Sequence, residues 1–281
     1  MASTTALLPH EFERPVLDLS ADALRAGLQI MIRGSEDHGG IERYIDAVKL
    51  KSAMFKQALI ENDVAELDLE TFKGLCTFMA TVRRRVGDWL YEERFLEMRE
   101  GIVELFCDGE HIDVRVGRFC DRFPNDKKHR WVRDLAVELL HNADPERVPM
   151  MNRWIWDVKA NTGVIREIWH GDDVDHMTIK VADNYGTYVM LREELSQFLG
   201  ENGFFRDVLF YVDVLCAQIY AQYICEQGGS YLRVDFSAPE DPMQHTRRLL
   251  GLDGVQPGNG RTRLKSIDGV AFVLDDSKTL N

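Results

Sequence analysis

Phe204-Phe-Arg-Asp-Val-Leu-Phe-Tyr-Val-Asp-Val-Leu-Cys-Ala-Gln-Ile-Tyr-Ala-Gln-Tyr-Ile-Cys225 is the longest apolar stretch of the chain. It is apolar around most of a helical circumference, which marks a central helix wrapped by others. It is long enough to span a bilayer, but Arg206, Asp207 and Asp213 place three charges inside it, so it reads as a buried core helix. Gly200-Glu-Asn-Gly203 separates it from a helix over residues 187–199, and Gly228-Gly229 ends it. The rest of the chain is therefore read as what packs around it.

Working outward, the N-terminal half carries one helical stripe after another. Ser20 is a preferred cap for a helix that ends near Gly34. Ile41, Tyr44, Ile45, Val48, Phe55 and Leu59 recur at helical spacing over 41–61. Phe72, Leu75, Met79, Val82 and Val86 form another stripe, and a further pattern runs to about Phe106, where Asp108-Gly109 reads as a helix stop. Trp131, Leu135 and Leu139 mark a helix over 128–140, with another start near Pro149. Strand signals interrupt this. Ile112, Val114 and Val116 alternate with polar residues, residues 177–182 and 231–236 read as short strands, and Leu264 to Leu274 around Asp268-Gly269 reads as a hairpin. Asp241-Pro242 would open a last helix. The expected class is mainly α with a minor antiparallel β component (α+β): a helical N-terminal part, then short strands and a C-terminal hairpin in the second half. Residues 1–19 read as an irregular lead-in and 20–281 as one domain, with a soft boundary near 107–126.

The chain of 281 residues is 45% hydrophobic and carries 14 Phe, 8 Tyr and 5 Trp, too many aromatics for a disordered chain. Lys plus Arg is 34 and Asp plus Glu is 47, so the net charge is −13. That field opposes general affinity for DNA or an anionic membrane. Cys76, Cys107, Cys120, Cys216 and Cys225 contain no Cys-x-x-Cys pair, and the first residues lack a basic, then apolar, signal-peptide pattern. A cytoplasmic setting is expected. Phosphate-loop, dinucleotide and nucleophile-elbow signatures are not found.

Several constellations could carry chemistry. Glu138-Leu-Leu-His141 and Glu167-Ile-Trp-His170 both read Glu-x-x-His. Residues three apart share a helix face, and two such motifs with two further glutamates build the di-iron centre of ferritin-like bundles. Glu93, Glu97 or Glu100 could supply a third ligand and Asp213 a fourth. The motifs stand only 29 residues apart with Pro145 and Pro149 between them, which leaves little room for an intervening helix. His170-Gly-Asp-Asp-Val-Asp-His176 gathers Asp172, Asp173 and Asp175 with two imidazoles, a divalent-metal loop or an acidic surface turn. Lys127, Lys128, His129, Arg130 and Arg133 surround Trp131, and this mix of cations and an aromatic ring could contact an anion or a nucleic acid, extended by Arg147, Arg153, Trp154 and Trp156. Arg83-Arg84-Arg85 must turn at least one guanidinium toward the Val82 and Val86 stripe, to pair with a carboxylate such as Asp88 or Asp213. Asp213, among Leu209, Phe210, Cys216 and Ala217, needs a buried partner, with arginine expected. Asn184-Tyr-Gly-Thr187 could hold an anion at a helix start.

With no specific catalytic signature, the leading expectation is a soluble accessory or regulatory protein acting through protein contacts. It calls for an exposed aromatic surface, with Trp154, Trp156 and Trp169 as candidates, although core burial is the simpler reading of each. The alternative is a metal-dependent carboxylate–histidine enzyme, a di-iron oxidoreductase or a hydrolase, with iron or a divalent metal as cofactor. The third is a nucleic-acid-handling protein using the basic and aromatic run. A protein partner and no membrane are expected.

Overall fold

The computed structural model describes residues 15–36, 39–171, 173–174, 176–228, 243–256, 261–264 and 273–275. Ten α-helices are assigned among them: α1 (Ala21–Glu36), α2 (Glu42–Lys56), α3 (Leu69–Thr77), α4 (Glu92–Phe106), α5 (Ile112–Asp121), α6 (Trp131–Ala143), α7 (Val164–Glu167), α8 (Tyr185–Glu201), α9 (Val208–Gly228) and α10 (Gln244–Leu249).

The apolar stretch that opens the reading becomes α9. α1, α2, α7, α8 and α10 pack against it. By length and composition α9 is also apolar enough to cross a membrane, and the same composition suits a helix enclosed on several sides. Close approach of α1 depends on Gly27, where a Cβ would stand 2.8 Å from the Ile219 side chain. α6 is the second hub, flanked by α2, α4 and α5. It is buried along almost its whole length. α2 touches both hubs. Buried apolar side chains from Leu17 to Leu252 join in one cluster, with Trp131, Trp156, Tyr188, Phe55 and Phe72 among its largest members.

The fold is mainly helical, with 63% helix, and the expected α+β class is wrong. Residues 112–116 are the first turn of α5, not a strand. The His111 ring accepts from the Asp113 N–H at the helix start, Ile112, Val116 and Phe119 are buried, and Val114 is 49% exposed. Apolar positions at i, i+4 and i+7 obey the helical period, and a run of five residues is too short to separate that period from alternation. Residues 177–182 form no strand and join no ladder among the described residues. Side chains occupy their backbone groups: Trp156 Nε1 donates to the Val181 carbonyl, and Asn161 bonds the Met177 carbonyl and the Ile179 N–H. The strand expected at 231–236 lies outside the described residues, as do residues 1–14. Near the C-terminus, Val255–Gln256, Arg261–Leu264 and Val273–Asp275 are short segments that pair antiparallel. They add no β layer to the helical fold, and the Asp268-Gly269 turn of the expected hairpin lies outside the described residues.

Two helix boundaries also differ. The stripe from Phe72 to Val86 breaks after Thr77, whose hydroxyl bonds the Gly74 carbonyl, because Arg83 folds back to donate to the Thr77 carbonyl. No helix starts at Pro149. The Asn152 carbonyl instead accepts from Ile155 and Trp156 in a turn.

Candidate functional site

The joints between α2, α6 and α9 are charged, which is unusual for a core. Lys51 from α2, Glu138 and His141 from α6, and Asp213 from α9 are all buried. Lys51 Nζ lies 3.7 Å from Glu138 Oε2 and donates to the Leu250 carbonyl at 3.0 Å. Glu138 Oε1 accepts from Asn152 Nδ2 at 3.0 Å and from the Thr81 hydroxyl at 3.3 Å. One turn along α6, His141 Nε2 stands 3.1 Å from Asp213 Oδ2, and its Nδ1 is 2.9 Å from the Val148 carbonyl. A carbonyl only accepts, so Nδ1 carries a proton. With a carboxylate at Nε2, the matching state is an imidazolium donating at both nitrogens.

The electrostatics follow from burial and partners. Burial lowers the Lys51 pKa, against the raising pull of Glu138 and Asp213. Burial raises that of Glu138, against Lys51. At His141 burial disfavours the cation, but the charge and hydrogen bond of Asp213, with the Val148 carbonyl, outweigh it, and the pKa stands above the ordinary value. This has a consequence for stability. The unfolded histidine titrates near about 6.5, so the contribution of the pair is complete below that pH and is lost as pH rises through the higher folded value. The stability difference between the native chain and His141→Gln should therefore shrink as pH rises above about 6.5 in denaturant titrations. A difference that grows with pH contradicts this assignment.

The Glu-x-x-His reading thus meets a competing set of partners. Glu138 and His141 do share a face, but they face Lys51 and Asp213, and a metal at Glu138 would have to displace the Lys51 ammonium. The second motif lies apart from them on the surface: His170 is exposed with Asp18 at 3.8 Å, and Glu167 sits on the short α7. Exposed His176 pairs with Asp173 at 2.6 Å, and Asp172 and Asp175 lie outside the described residues. Among the described residues no three His, Cys, Asp or Glu side chains gather as a metal group.

The basic run is broken up by carboxylates. Trp131, 2% exposed, packs on Phe123 in the core and offers no face for base stacking. Arg133 bonds Asp183 at 2.5 Å and the Met151 carbonyl, Arg130 reaches Asp157 at 3.4 Å, and His129 bonds Asp126. Arg153 pairs with Asp134 at 2.6 Å and Arg147 with Asp108 at 2.9 Å. Lys127 and Lys128 are exposed. His129, Arg130, Arg133 and Arg153 border a surface cleft of about 350 Å³ at the start of α6.

Other expected partners change identity. Arg83 forms a two-pronged pair with Asp253 at 2.7 Å, not with Asp88 or Asp213. The partner of Asp213 is a histidine, not an arginine. At the start of α8 the anion is internal: the Asp113 carboxylate accepts from the Tyr185 N–H, and Asn184 caps Thr187. Trp154 and Trp156 are buried, so they form no exposed aromatic surface.

A second cleft, of about 480 Å³, lies where the α8–α9 corner meets the start of α2. Phe204 packs against Tyr211 with the rings tilted and their centroids 4.7 Å apart, and Phe205 is 79% exposed. Glu42, Asp46, Asp207 and the cation Arg206 line the rim, with Asp207 2.9 Å from Lys49. Burial raises the Tyr211 pKa, and Glu42, Asp207 and Asp46 raise it further, which marks a negative field in this cleft. Asp207 holds φ at 54°, in the left-handed region that non-glycine residues seldom adopt.

The sequence reading missed Lys51 and this corner. For Lys51 the signal was present: it lies three residues after Val48 and four before Phe55, on the buried stripe of α2. For Phe205 there was none, because an aromatic residue at the edge of an apolar run looks like core.

The comparisons with known proteins come back empty. No family model matches this chain, and no curated protein or solved structure is detectably similar to it.

Proposed function

We propose that this is an accessory or regulatory protein, cytoplasmic in setting, that acts by binding another protein through the α8–α9 corner cleft. The observation that carries the reading is Phe205. It stands 79% exposed at a concave, carboxylate-rimmed surface, whereas most aromatic side chains of the described chain are buried or half-buried. An exposed ring beside a cleft is the kind of residue that dominates a protein interface. The rim carries Glu42, Asp46 and Asp207 against Arg206, with Lys49 on Asp207, and the carboxylates Glu42 and Asp46 call for a partner that presents a lysine or arginine beside an apolar side chain. Among the described residues Cys76, Cys107, Cys120 and Cys216 form no disulfide, in keeping with a reducing compartment. The interior cluster supports this reading from the other side, since its groups hold helices together and the cavity that His141 and Asp213 border among the described residues measures about 20 Å³, room for little more than a water.

The experiment is fluorescence anisotropy with a labelled amphipathic peptide of lysine and leucine, compared with its glutamate–leucine counterpart. The basic peptide should bind at least about tenfold tighter and weaken with added salt. Phe205→Ala should reduce its affinity by about tenfold or more, while the thermal midpoint stays unchanged because the ring makes no core contact. Equal binding of both peptides, or indifference to Phe205→Ala, overturns the proposal.

A further inference from the structure

We infer that Lys49 is an internal competitor at the corner cleft: its ammonium holds, from within the chain, a carboxylate that a docking lysine or arginine would otherwise meet. Lys49 thereby sets how strongly a basic segment binds. The inference rests on the reading above, that this corner docks such a segment, and names what regulates it. Ile45, Asp46 and Lys49 stand three, four and seven residues after Glu42, so the four share one face of α2. Glu42, Ile45 and Asp46 line the cleft, and Lys49 reaches from the same face to the start of α9, where its Nζ stands 2.9 Å from Asp207 Oδ2. Asp207 is a fixed target. Its carbonyl accepts the Phe210 and Tyr211 N–H groups that begin α9, and its φ is 54°, so the backbone carrying the carboxylate is pinned.

The three rim carboxylates are not equally open. Glu42 and Asp46 are exposed and have no ion-pair partner among the described residues, whereas Asp207 is met by Lys49. Arg206 lines the same cleft but forms no ion pair with any of the three among the described residues. Three carboxylates against Arg206 and Lys49 leave one negative charge unbalanced, and without the Lys49 charge there would be two. The Lys49–Asp207 pair is itself open to water, with the side chains 41% and 39% exposed. An exposed ion pair contributes little to stability, so the fold loses little when Lys49 lets go. A partner cation arriving beside Phe205 therefore takes Asp207 in competition with Lys49, and the like charge of Lys49 opposes its approach.

The test repeats the lysine–leucine peptide titration at low ionic strength with Lys49→Gln, Lys49→Arg and Lys56→Gln. Lys56→Gln removes the same charge from an exposed position at the C-terminal end of α2, about two turns further on. Lys49→Gln should bind the basic peptide about threefold tighter, the size expected of an exposed ion pair, with the thermal midpoint close to native. Added salt should erase that gain. Lys49→Arg keeps the charge and Lys56→Gln leaves the corner alone, so both should bind as the native chain does. If the peptide binds and loses affinity with Phe205→Ala, yet Lys49→Gln brings no gain, this inference falls and the docking reading stands. A gain shared equally by Lys56→Gln reports total charge alone and also overturns it. If the native chain binds the basic and acidic peptides equally, the docking reading falls and takes this inference with it.

Discussion

Glu138→Ala is expected to cost about 3–5 kcal/mol of stability, the range for breaking a buried ion pair from one side. The loss is large because the substitution removes a partner without removing the charge. Lys51 would remain in the core with its ammonium facing the Leu250 carbonyl and without its ion-pair partner. Asn152 and Thr81 would each lose an acceptor. For a chain of this size the midpoint should fall on the order of 10 °C in a calorimetric scan. The double variant Glu138→Leu with Lys51→Met should recover most of that loss, since apolar groups of similar volume replace buried pairs at little cost. If Glu138→Ala is nearly neutral, or the double variant is worse than the single, the pair is not what joins α2 to α6. The same comparison bears on chemistry. A double variant that folds but loses a biological function would show that the buried pair does more than hold helices.

Gly251→Ala should be comparably damaging, by a different route. Gly251 has φ of 75°, and a Cβ there would stand 1.6 Å from the Phe78 carbonyl oxygen. That is backbone against backbone, so no side chain can rotate away. The segment after α10 would have to lift from α3, and two tethers would go with it: Leu250 receives Lys51 Nζ, and Asp253 receives Arg83. Loss of several kcal/mol is expected, of the size seen for strain combined with broken buried contacts. The readout is urea unfolding, together with amide exchange at Leu250 and Leu252, which should lose protection before the α6–α9 core. Unchanged exchange there would mean that α10 and its following turn are not docked as described.

Parts of this fold were legible because they depend on local periodicity. α9 was readable from its apolar circumference, and α2 from Tyr44, Ile45, Val48 and Phe55. The stop after α4 was readable from Asp108-Gly109, where Gly109 takes φ of 124°. The strands at 112–116 and 177–182 were misread for one reason. Each is a short run of apolar residues alternating with polar ones, and what separates helix from strand there is where the backbone bonds go. At α5 a histidine ring begins the helix, and at 177–182 Trp156 and Asn161 occupy the groups a neighbouring strand would need. Both are contacts that residue spacing does not reveal.

The candidate sites divide in the same way. That Asp213 needs a partner follows from its apolar neighbours alone, because a lone buried carboxylate is too costly. That the partner is His141 depends on α6 coming within side-chain reach of α9. Glu138 and His141 share a face by spacing, but whether that face meets a metal, a lysine or another carboxylate is decided by the helices opposite. The sequence by itself determined the long helices, their apolar faces and the burial of Asp213, since these follow from 3.6-residue periodicity and desolvation. Only the tertiary structure decided which charge meets which, and that Phe205 stays in water while Trp131, Trp154 and Trp156 do not. Pairing and exposure belong to residues 27–170 positions apart in the chain, such as Arg130 with Asp157 and Arg83 with Asp253, and nothing local records them.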